Sequence, residues 1–251
     1  MCHAVMAESF IEVNWPAPKN IRAITTTRNG GQSLAPFDSL NLGDHVGDNP
    51  DCVAANRQRL IEAALMPAEP LWLKQTHSTA VIHSSQWQQN IEADAIISNS
   101  INQVCAVMTA DCLPLLITDK SGSQVAAIHA GWRGLQAGII ENTLARFGVA
   151  GSEILAWMGP AIGPKAFEVG PEVKAAFLAI DPAAESAFIA SHSDRYLADI
   201  YMLARQRLSA QGVTAIYGGD FCTYSENERF FSYRHEGVTG RMATLIWIEA
   251  E

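Results

Sequence analysis

Residues 109–135 read TADCLPLLITDKSGSQVAAIHAGWRGL, and this stretch decides the fold. Two short apolar runs, 113–119 and 124–130, stand on either side of the turn residues KSGS. Runs of this length and composition are typical of strands buried on both faces of a sheet. From Gly131 onward the apolar residues follow a helical spacing as far as Gly148, which is a plausible helix stop. The stretch therefore predicts two buried strands followed by a helix.

Further predicted strands and helices extend outward from this centre. One helix is expected after Asp51, which could be its cap, and another is expected to begin at Pro171. A long amphipathic helix is expected over 194–213. Alternation in LWLKQTHSTAVIH (71–83) predicts a strand, and other apolar runs predict strands near 21–27, 93–99, 104–110, 154–158, 215–222 and 241–249. We expect an α/β fold, with α+β as the alternative. It would be one domain over residues 1–251, with layered mixed sheets flanked by helices.

Composition narrows the functional classes. The chain has 251 residues, 48% of them hydrophobic and 17% charged, with a formal net charge of −9. Such an acidic chain is a poor candidate for binding nucleic acid or anionic membranes. The N-terminal residues lack a secretory signal pattern, and no apolar run is long enough to span a membrane. We expect a cytoplasmic protein whose five cysteines, none in a CxxC pair, are reduced thiols. The sequence leaves the oligomeric state open.

Three residues form a candidate metal set: His77, Cys112 and His129. They are 35 and 17 residues apart along the chain, a spacing that matches no local zinc signature, so the sequence alone does not join them. Two imidazoles and one thiolate would leave a fourth position open, as in catalytic zinc sites. The alternatives are a buried, inert Cys112 and a histidine at the surface. Cys105, in the middle of an apolar run, is expected to be inert.

Candidate ligand-binding residues lie in the loops and at the start of the predicted helix after His129. The segment HAGWRG would present a helix N-terminus to an anion, and Arg133 would add a charged fork for phosphate. The alternative is a tight turn with a solvated arginine. Loop residues could also face a ligand, although solvation is the commoner fate of each. The candidates are Arg28, Asn41, His45, Arg234 and Arg241.

The motifs TTRNGGQS, KQTHS, MTADCLPLLITD, AAIHAGWRGLQAGI, MGPAIGPKAFEVG and CTYSENERFFSYRHEGVTGR occur in this order. From about residue 20 the chain closely resembles the YfiH-like family. That family is also called the laccase-domain or polyphenol oxidase family, and its members are described as purine nucleoside phosphorylases. One position departs from the family pattern, because His235 stands where a second arginine is common.

The resemblance implies a single α/β domain with a metal, usually zinc and possibly copper, held by the residues matching His77, Cys112 and His129. It implies phosphorolysis of adenosine, inosine, guanosine and methylthioadenosine, with adenosine deaminase activity. Zinc would supply hydroxide near neutral pH for attack on C6, and Asp111 or another acid would carry a proton. Phosphate would need arginines, for which we expect Arg133, Arg28 and Arg241. The expected partners are purine nucleosides and phosphate.

Several other functions stay open. Cys112 could be the nucleophile of a cysteine hydrolase, with a histidine as base. The family has also been given a role in editing peptidoglycan precursors and a copper-dependent phenol oxidase activity. A multicopper oxidase needs about ten histidines, whereas this chain has seven and no His-x-His pair. We therefore expect any oxidase activity to be weak. A non-catalytic binding module is the remaining alternative.

Overall fold

The protein is described by a computed structural model covering residues 9–250. Its strands are β1 (Phe10–Glu12), β2 (Ile21–Thr26), β3 (Val81–His83), β4 (Ala95–Ser98), β5 (Cys105–Thr109), β6 (Leu113–Asp119), β7 (Val125–Ala130), β8 (Ile154–Met158), β9 (Glu168–Val169), β10 (Phe188–Ala190), β11 (Tyr196–Ala198), β12 (Ala215–Gly218) and β13 (Met242–Ile248). Its α-helices are α1 (Pro50–Ala63), α2 (Trp132–Ala137), α3 (Ile139–Leu144), α4 (Pro171–Leu178), α5 (Ile200–Ala210) and α6 (Tyr233–Glu236). The predicted mixture of α and β structure is confirmed.

The strands form three sheets. An antiparallel sheet has the order β1-β2-β13-β5, and a mixed sheet has the order β12-β8-β6-β7-β4-β3. In the mixed sheet the outer pairs β12–β8 and β3–β4 are parallel, and the pairs between them are antiparallel. A third, small antiparallel sheet has the order β10-β11-β9, and its Val169, Phe188 and Ala198 belong to the same buried cluster as one face of the mixed sheet. Strands β6 and β7, which the apolar runs within residues 109–135 predict, are the two central strands of the mixed sheet.

Apolar packing stacks these elements in layers. One buried cluster joins the two large sheets face to face through residues such as Val107 and Ile246 from one and Leu116 and Ala127 from the other. The opposite face of the mixed sheet packs against α2, α3 and α5. The outer face of the antiparallel sheet is covered by α1 through Leu60. Strands buried on both sides explain why β5, β6 and β7 read as continuous apolar runs. One domain over residues 1–251 stays a prediction.

Two predicted helix starts were wrong. Helix α1 begins at Pro50, and its cap is Asn49, whose side chain accepts a hydrogen bond from the Asp51 N–H. Asp51 instead lies in the first turn, where its charge suits the helix dipole. The long helix expected over 194–213 is shorter, because its first part forms β11 and pairs with β9 and β10. Asp199 then caps α5 by accepting from the N–H of Met202.

Two further predictions need correction. Residues 71–83 form a strand only at β3; before it, Leu71 and Lys74 make isolated bridges. Their alternation reflects these bridges within a loop. The helix expected after His129 is divided in two at Gly138, which adopts φ 103 and ends α2. Gly148, at φ 68, lies beyond the end of α3 and does not terminate it directly.

The structure tests two predictions made from composition, that the cysteines are reduced thiols and that no segment spans a membrane. Cys52, Cys105, Cys112 and Cys222 are all free thiols, as expected. Cys2 lies outside the described residues. Within residues 9–250, every helix is too short or too polar to cross a bilayer.

Candidate metal centre

His77, Cys112 and His129 converge at one end of the mixed sheet. Their ligand atoms all lie within 4.8 Å of one another. Cys112 Sγ is 3.7 Å from His77 Nε2, and the two imidazole rings meet edge to face with centroids 4.8 Å apart. In the part of the chain that the structure describes, this is the one group of three or more such side chains placed to hold a metal ion. The structure thus joins three residues that the sequence could not.

Each ligand is placed by a different local feature. His129 lies near the end of β7 and is buried, because β6 and β4 flank that strand. His77 lies in the loop before β3 with φ 59. Cys112 immediately precedes β6 and follows Asp111, which has φ 88. Positive φ is uncommon for residues other than glycine and persists where surrounding bonds impose it.

A buried carboxylate that sequence analysis missed, Asp94, holds the site together. One oxygen, Oδ1, accepts hydrogen bonds from His129 Nδ1 at 2.7 Å and from the His77 N–H at 3.0 Å. The other, Oδ2, accepts from the N–H and hydroxyl of Ser78 at 2.6 and 2.7 Å. The available signal was an aspartate inside the otherwise apolar segment ADAIISN. Because Nδ1 of His129 is bound to Asp94, Nε2 is the nitrogen left for a metal.

The electrostatics of the site favour a thiolate. Burial alone would raise the pKa of the Cys112 thiol, but the neighbouring His129 and His77 outweigh it and lower that pKa to about 6. Burial opposes the charge on His129, yet Cys112 and Asp94 raise its pKa to about 9. Burial likewise disfavours ionised Asp94, but bonds from His129 and Ser78 bring its pKa to about 2. A thiolate is the form of cysteine that binds metals.

The donor set fits a divalent metal ion. Ligand atoms around a tetrahedral zinc lie roughly 3.3–3.7 Å apart, given bond lengths of about 2.0–2.3 Å. The Cys112 Sγ–His77 Nε2 distance of 3.7 Å is within that range, and the three ligand atoms together lie within 4.8 Å of one another. Gly131 leaves room beside the three ligands. A Cβ at that position would lie 2.8 Å from His77 Cδ2 and 3.1 Å from Cys112 Sγ. The predicted set of two histidines and one cysteine could therefore bind a metal.

The three ligands open into a cavity of about 650 Å³, which is in the usual range for a small-molecule site. Its walls combine apolar side chains, such as Phe167 and Val173, with charged ones. Several predicted residues line it: Asp111, Cys112, Arg133, His45, Arg234 and Arg241. The exposed His45 also lines a neighbouring cavity of about 960 Å³, whose walls include Trp72 and Trp87.

The cavity arginines differ in how their guanidinium groups are used. Arg133 is exposed and lies over the Trp132 ring, with 4.5 Å from Cζ to the centroid. Arg234 donates to the Glu168 carbonyl at 2.9 Å. Arg241 donates from Nη1 to the carbonyls of residues 239 and 240 at 3.0 and 2.9 Å. Burial lowers the pKa of Arg241, while the charges of Cys112 and Asp111 act in the opposite direction.

Two predicted substrate-binding residues do not line the cavity. Arg28 is buried, donates to Glu236 at 2.7 Å, and has its Cζ 4.7 Å from the centroid of the Phe231 ring. Asn41 is fully buried and bonds to the carbonyl of Gly43, to Asp48 and to the Arg241 N–H. Both side chains organise the loops in which they lie. These bonds favour a structural role for Arg28, and the predicted contact of both residues with substrate stays untested.

Asp111 and His235 also have partners within the protein. The Asp111 carboxylate accepts from the Thr223 hydroxyl and from the Arg234 N–H, both at 2.6 Å. These bonds tie the segment before Cys112 to residues more than a hundred positions later, and so place the cysteine. His235 Nε2 lies 3.1 Å from Asn227 Nδ2, and its ring packs edge to face on Tyr224.

A family described as multi-copper polyphenol oxidoreductase laccase matches residues 22–249. The chain is 57% identical over 240 residues to the Escherichia coli (strain K12) "Purine nucleoside phosphorylase YfiH", covering 95% of this chain and 98% of that one. It is 54% identical over 241 residues to the Haemophilus influenzae "Purine nucleoside phosphorylase", covering 95% and 99%.

Two solved structures share the fold. A Neisseria meningitidis protein matches with a TM-score of 0.93 at 47% identity, covering 96% of this chain and 100% of that one. YlmD from Geobacillus stearothermophilus matches with a TM-score of 0.89 at 28% identity, covering 97% of both chains.

Proposed function

Because the chain belongs to the family described as multi-copper polyphenol oxidoreductase laccase, and its curated relatives carry the name purine nucleoside phosphorylase, we propose that it is a metal-dependent purine nucleoside phosphorylase. The proposed metal is zinc, held by His77, Cys112 and His129. The proposed substrates are phosphate and the purine nucleosides adenosine, inosine, guanosine and methylthioadenosine. The proposal includes an accompanying adenosine deaminase activity and a cytoplasmic location.

The observation that carries this proposal is Arg241 in the wall of the metal-site cavity. Within residues 9–250, the guanidinium donates two hydrogen bonds, both from Nη1. Nε and Nη2 are therefore left for a ligand, and a planar guanidinium suits two oxygens of one phosphate. Arg241 lines the same cavity as the three candidate metal ligands, so an anion held here would share that cavity with them.

Phosphorolysis requires little covalent chemistry from the protein. A phosphate oxygen forms a bond to C1′ of the ribose while the C1′–N9 bond breaks, and the purine leaves with the bonding pair and takes up a proton. Arg241 would hold the phosphate, and Arg133 and Arg234 would add positive charge to the cavity. Fixing both reactants in one enclosed site is the main source of acceleration in such a step.

Deamination of adenosine would use the same cavity. Water adds to C6 of the purine and ammonia leaves, so a proton must move from the water to the departing nitrogen. Asp111, which lines the cavity, remains the proposed proton carrier, and the bonds from Thr223 and Arg234 hold its carboxylate in place. A zinc ion, when bound, lowers the pKa of a coordinated water and polarises nearby oxygens.

Chromatography of adenosine incubated with metal-analysed protein tests both activities. Adenine that forms only when phosphate is present supports phosphorolysis. Inosine that forms without phosphate supports deamination. If neither product forms while a purine nucleoside phosphorylase of known activity works in parallel, the proposal is contradicted.

The donor inventory argues against multicopper chemistry. A three-copper cluster with a further copper site takes about ten histidines, whereas this chain has seven. Within the described residues, a single group of three potential ligands is close enough to share an ion. We expect metal analysis to find one tightly held ion per chain, and about four coppers would contradict this.

A cysteine hydrolase is the second candidate, and the Cys112 thiolate favours it. The lowered pKa of Cys112, about 6, and its nearness to two histidines are features of activated nucleophiles. Iodoacetamide separates the two functions. A metal-bound thiolate should resist alkylation until a chelator removes the ion, whereas an activated nucleophile should react in the metal-loaded protein.

A further inference from the structure

One oxygen atom connects two of the three candidate metal ligands. Asp94 Oδ1 accepts both the His129 Nδ1–H and the His77 N–H. The Asp94 backbone adds to this, because its carbonyl accepts the His129 N–H at 2.7 Å and its N–H donates to the Ala80 carbonyl at 3.0 Å. The residue is fully buried. All of these contacts lie within the protein, so they are formed independently of any ion.

We propose that Asp94 is the positioning residue of the metal centre, orienting His129 through its ring and His77 through its loop. The inference rests on the metal-dependent function proposed above. It goes further in assigning the geometry of two ligands on separate chain segments to one side chain that does not itself bind the ion. Carboxylates that orient ligand histidines typically govern metal affinity.

The hydrogen-bond pattern explains why a carboxylate is needed at position 94. Its partners are all donors: three backbone N–H groups, of residues 76, 77 and 78, the Ser78 hydroxyl and the His129 ring N–H. An ionised carboxylate only accepts, whereas an asparagine would turn an NH₂ group towards one set of these donors. Asp94→Asn would therefore lose either the Oδ1 bonds to the His129 ring and the His77 N–H, or the Oδ2 bonds to Thr76 and Ser78.

A second aspartate offers a matched control. Asp119 is also buried and accepts bonds from the N–H groups of Ser123 and Gln124 and from the hydroxyls of Ser121 and Ser123. It ends β6, whereas Cys112 lies just before that strand begins. Asp119→Asn therefore perturbs a comparable turn at the far end of the same strand.

The experiment measures the affinity of the full-length variants for Zn²⁺ alone, by competition with a chromophoric chelator, together with the melting temperature. We expect Asp94→Asn to bind Zn²⁺ roughly 10- to 100-fold more weakly than the wild type. Asp119→Asn should melt at a lower temperature but keep the wild-type affinity. The spectrum of bound Co²⁺ should change in Asp94→Asn and stay unchanged in Asp119→Asn.

Each outcome decides the question. Equal Zn²⁺ affinities for Asp94→Asn and wild type, or equal losses in both variants, would overturn the assignment. If Asp94→Asn does not fold, Ser78→Ala and Ser123→Ala repeat the comparison with one hydrogen-bonding hydroxyl removed from each turn. Weaker Zn²⁺ binding in Ser78→Ala alone supports the proposal, and unchanged binding overturns it. A wild-type protein that binds no stoichiometric Zn²⁺ would instead refute the proposed function.

Discussion

The described cysteines differ in chemistry because their surroundings differ. Cys105 is the first residue of β5 and is packed between the two large sheets, and burial raises the pKa of its thiol. Cys112 lies beside two histidines, and its pKa is about 6. Their settings in the sequence, one inside an apolar run and one at its edge, predict the same difference, and the chemical role of each stays a prediction.

These surroundings predict a pH profile for alkylation of the metal-free protein. Because the pKa of Cys112 is lowered, its thiolate is present above about pH 6 and is lost as the pH falls through that value. We expect the rate at which iodoacetamide alkylates Cys112 to rise with pH, with a midpoint near pH 6. Peptide mass spectrometry measures this rate. Cys105 should stay unmodified throughout. A midpoint near 8.5, the value of a free thiol, would contradict the arrangement.

Two arginines that look alike in the sequence should respond oppositely to replacement. Arg241→Met should raise the KM for phosphate by about 10- to 100-fold, because hydrogen bonds to charged groups contribute about 1.5–3 kcal/mol. Arg28→Met removes the partner of Glu236 and should cost about 3 kcal/mol of unfolding free energy. Its KM for phosphate should be unchanged. Initial rates and urea unfolding of both variants measure this, and a KM effect at Arg28 alone would reverse the assignment.

The sequence identified the three candidate metal ligands by residue type but missed Asp94. Cys112 and His129 stand out as candidates because they lie at the ends of apolar runs, although the sequence alone left an inert cysteine as an alternative. Asp94 lies within a segment that reads as a strand, and its role depends on the loop at 76–78 folding back onto it. That approach is a tertiary contact, and no local pattern reports it.

Among the strands and helices, prediction succeeded where burial is uniform. Strands β5, β6 and β7 are buried at every position, and their apolar runs show it directly. It failed where a segment changes structure within a few residues, as at β11 and α5, which are separated only by Asp199. The strand predicted over 71–83 was wrong in its first part, residues 71–80, for a related reason. Its alternating apolar residues serve isolated bridges, and His77 requires a backbone conformation that no strand contains.

The turn between β7 and α2 supplies a steric prediction. Gly131 has φ −60, which alanine adopts without strain, so Gly131→Ala acts only through its methyl group. That methyl would crowd His77 and Cys112. We expect weaker Zn²⁺ binding in a protein that still folds, measured by chelator competition.

A variant elsewhere controls for stability. Asp199→Ala removes the α5 cap and should cost about 1 kcal/mol of unfolding free energy with unchanged Zn²⁺ affinity. Unaltered affinity in Gly131→Ala would show that the ligands are less closely confined than described.

Across the molecule as a whole, metal binding should stabilise the folded state, because the ligands come from three separate segments. Zn²⁺ at a thousand times its dissociation constant should add about 4 kcal/mol, which corresponds to roughly 8–16 °C in Tm for a chain of this size. Differential scanning fluorimetry with and without chelator measures the shift. His129→Ala should abolish it, and a shift that persists in that variant would place the ion elsewhere.

The sequence predicted the fold class, but it did not predict how the strands pair or how the layers are arranged. Short apolar runs indicate buried strands but do not say which neighbours they pair with. Strand β13 follows β5 by more than a hundred residues, yet the two are hydrogen-bonded partners. The same pairing brings Arg241, just before β13, to the cavity beside Cys112, just after β5.

Strand β13 lies in the interior of its sheet, between β2 and β5. During translation, residues 242–248 leave the ribosome after every other described strand. Until then β2 and β5 each present an unpaired edge, and the arginine proposed to hold phosphate is absent from the cavity. A nascent chain would thus contain its candidate metal ligands well before the proposed phosphate site is complete, and those two open edges are where a chaperone would be most needed.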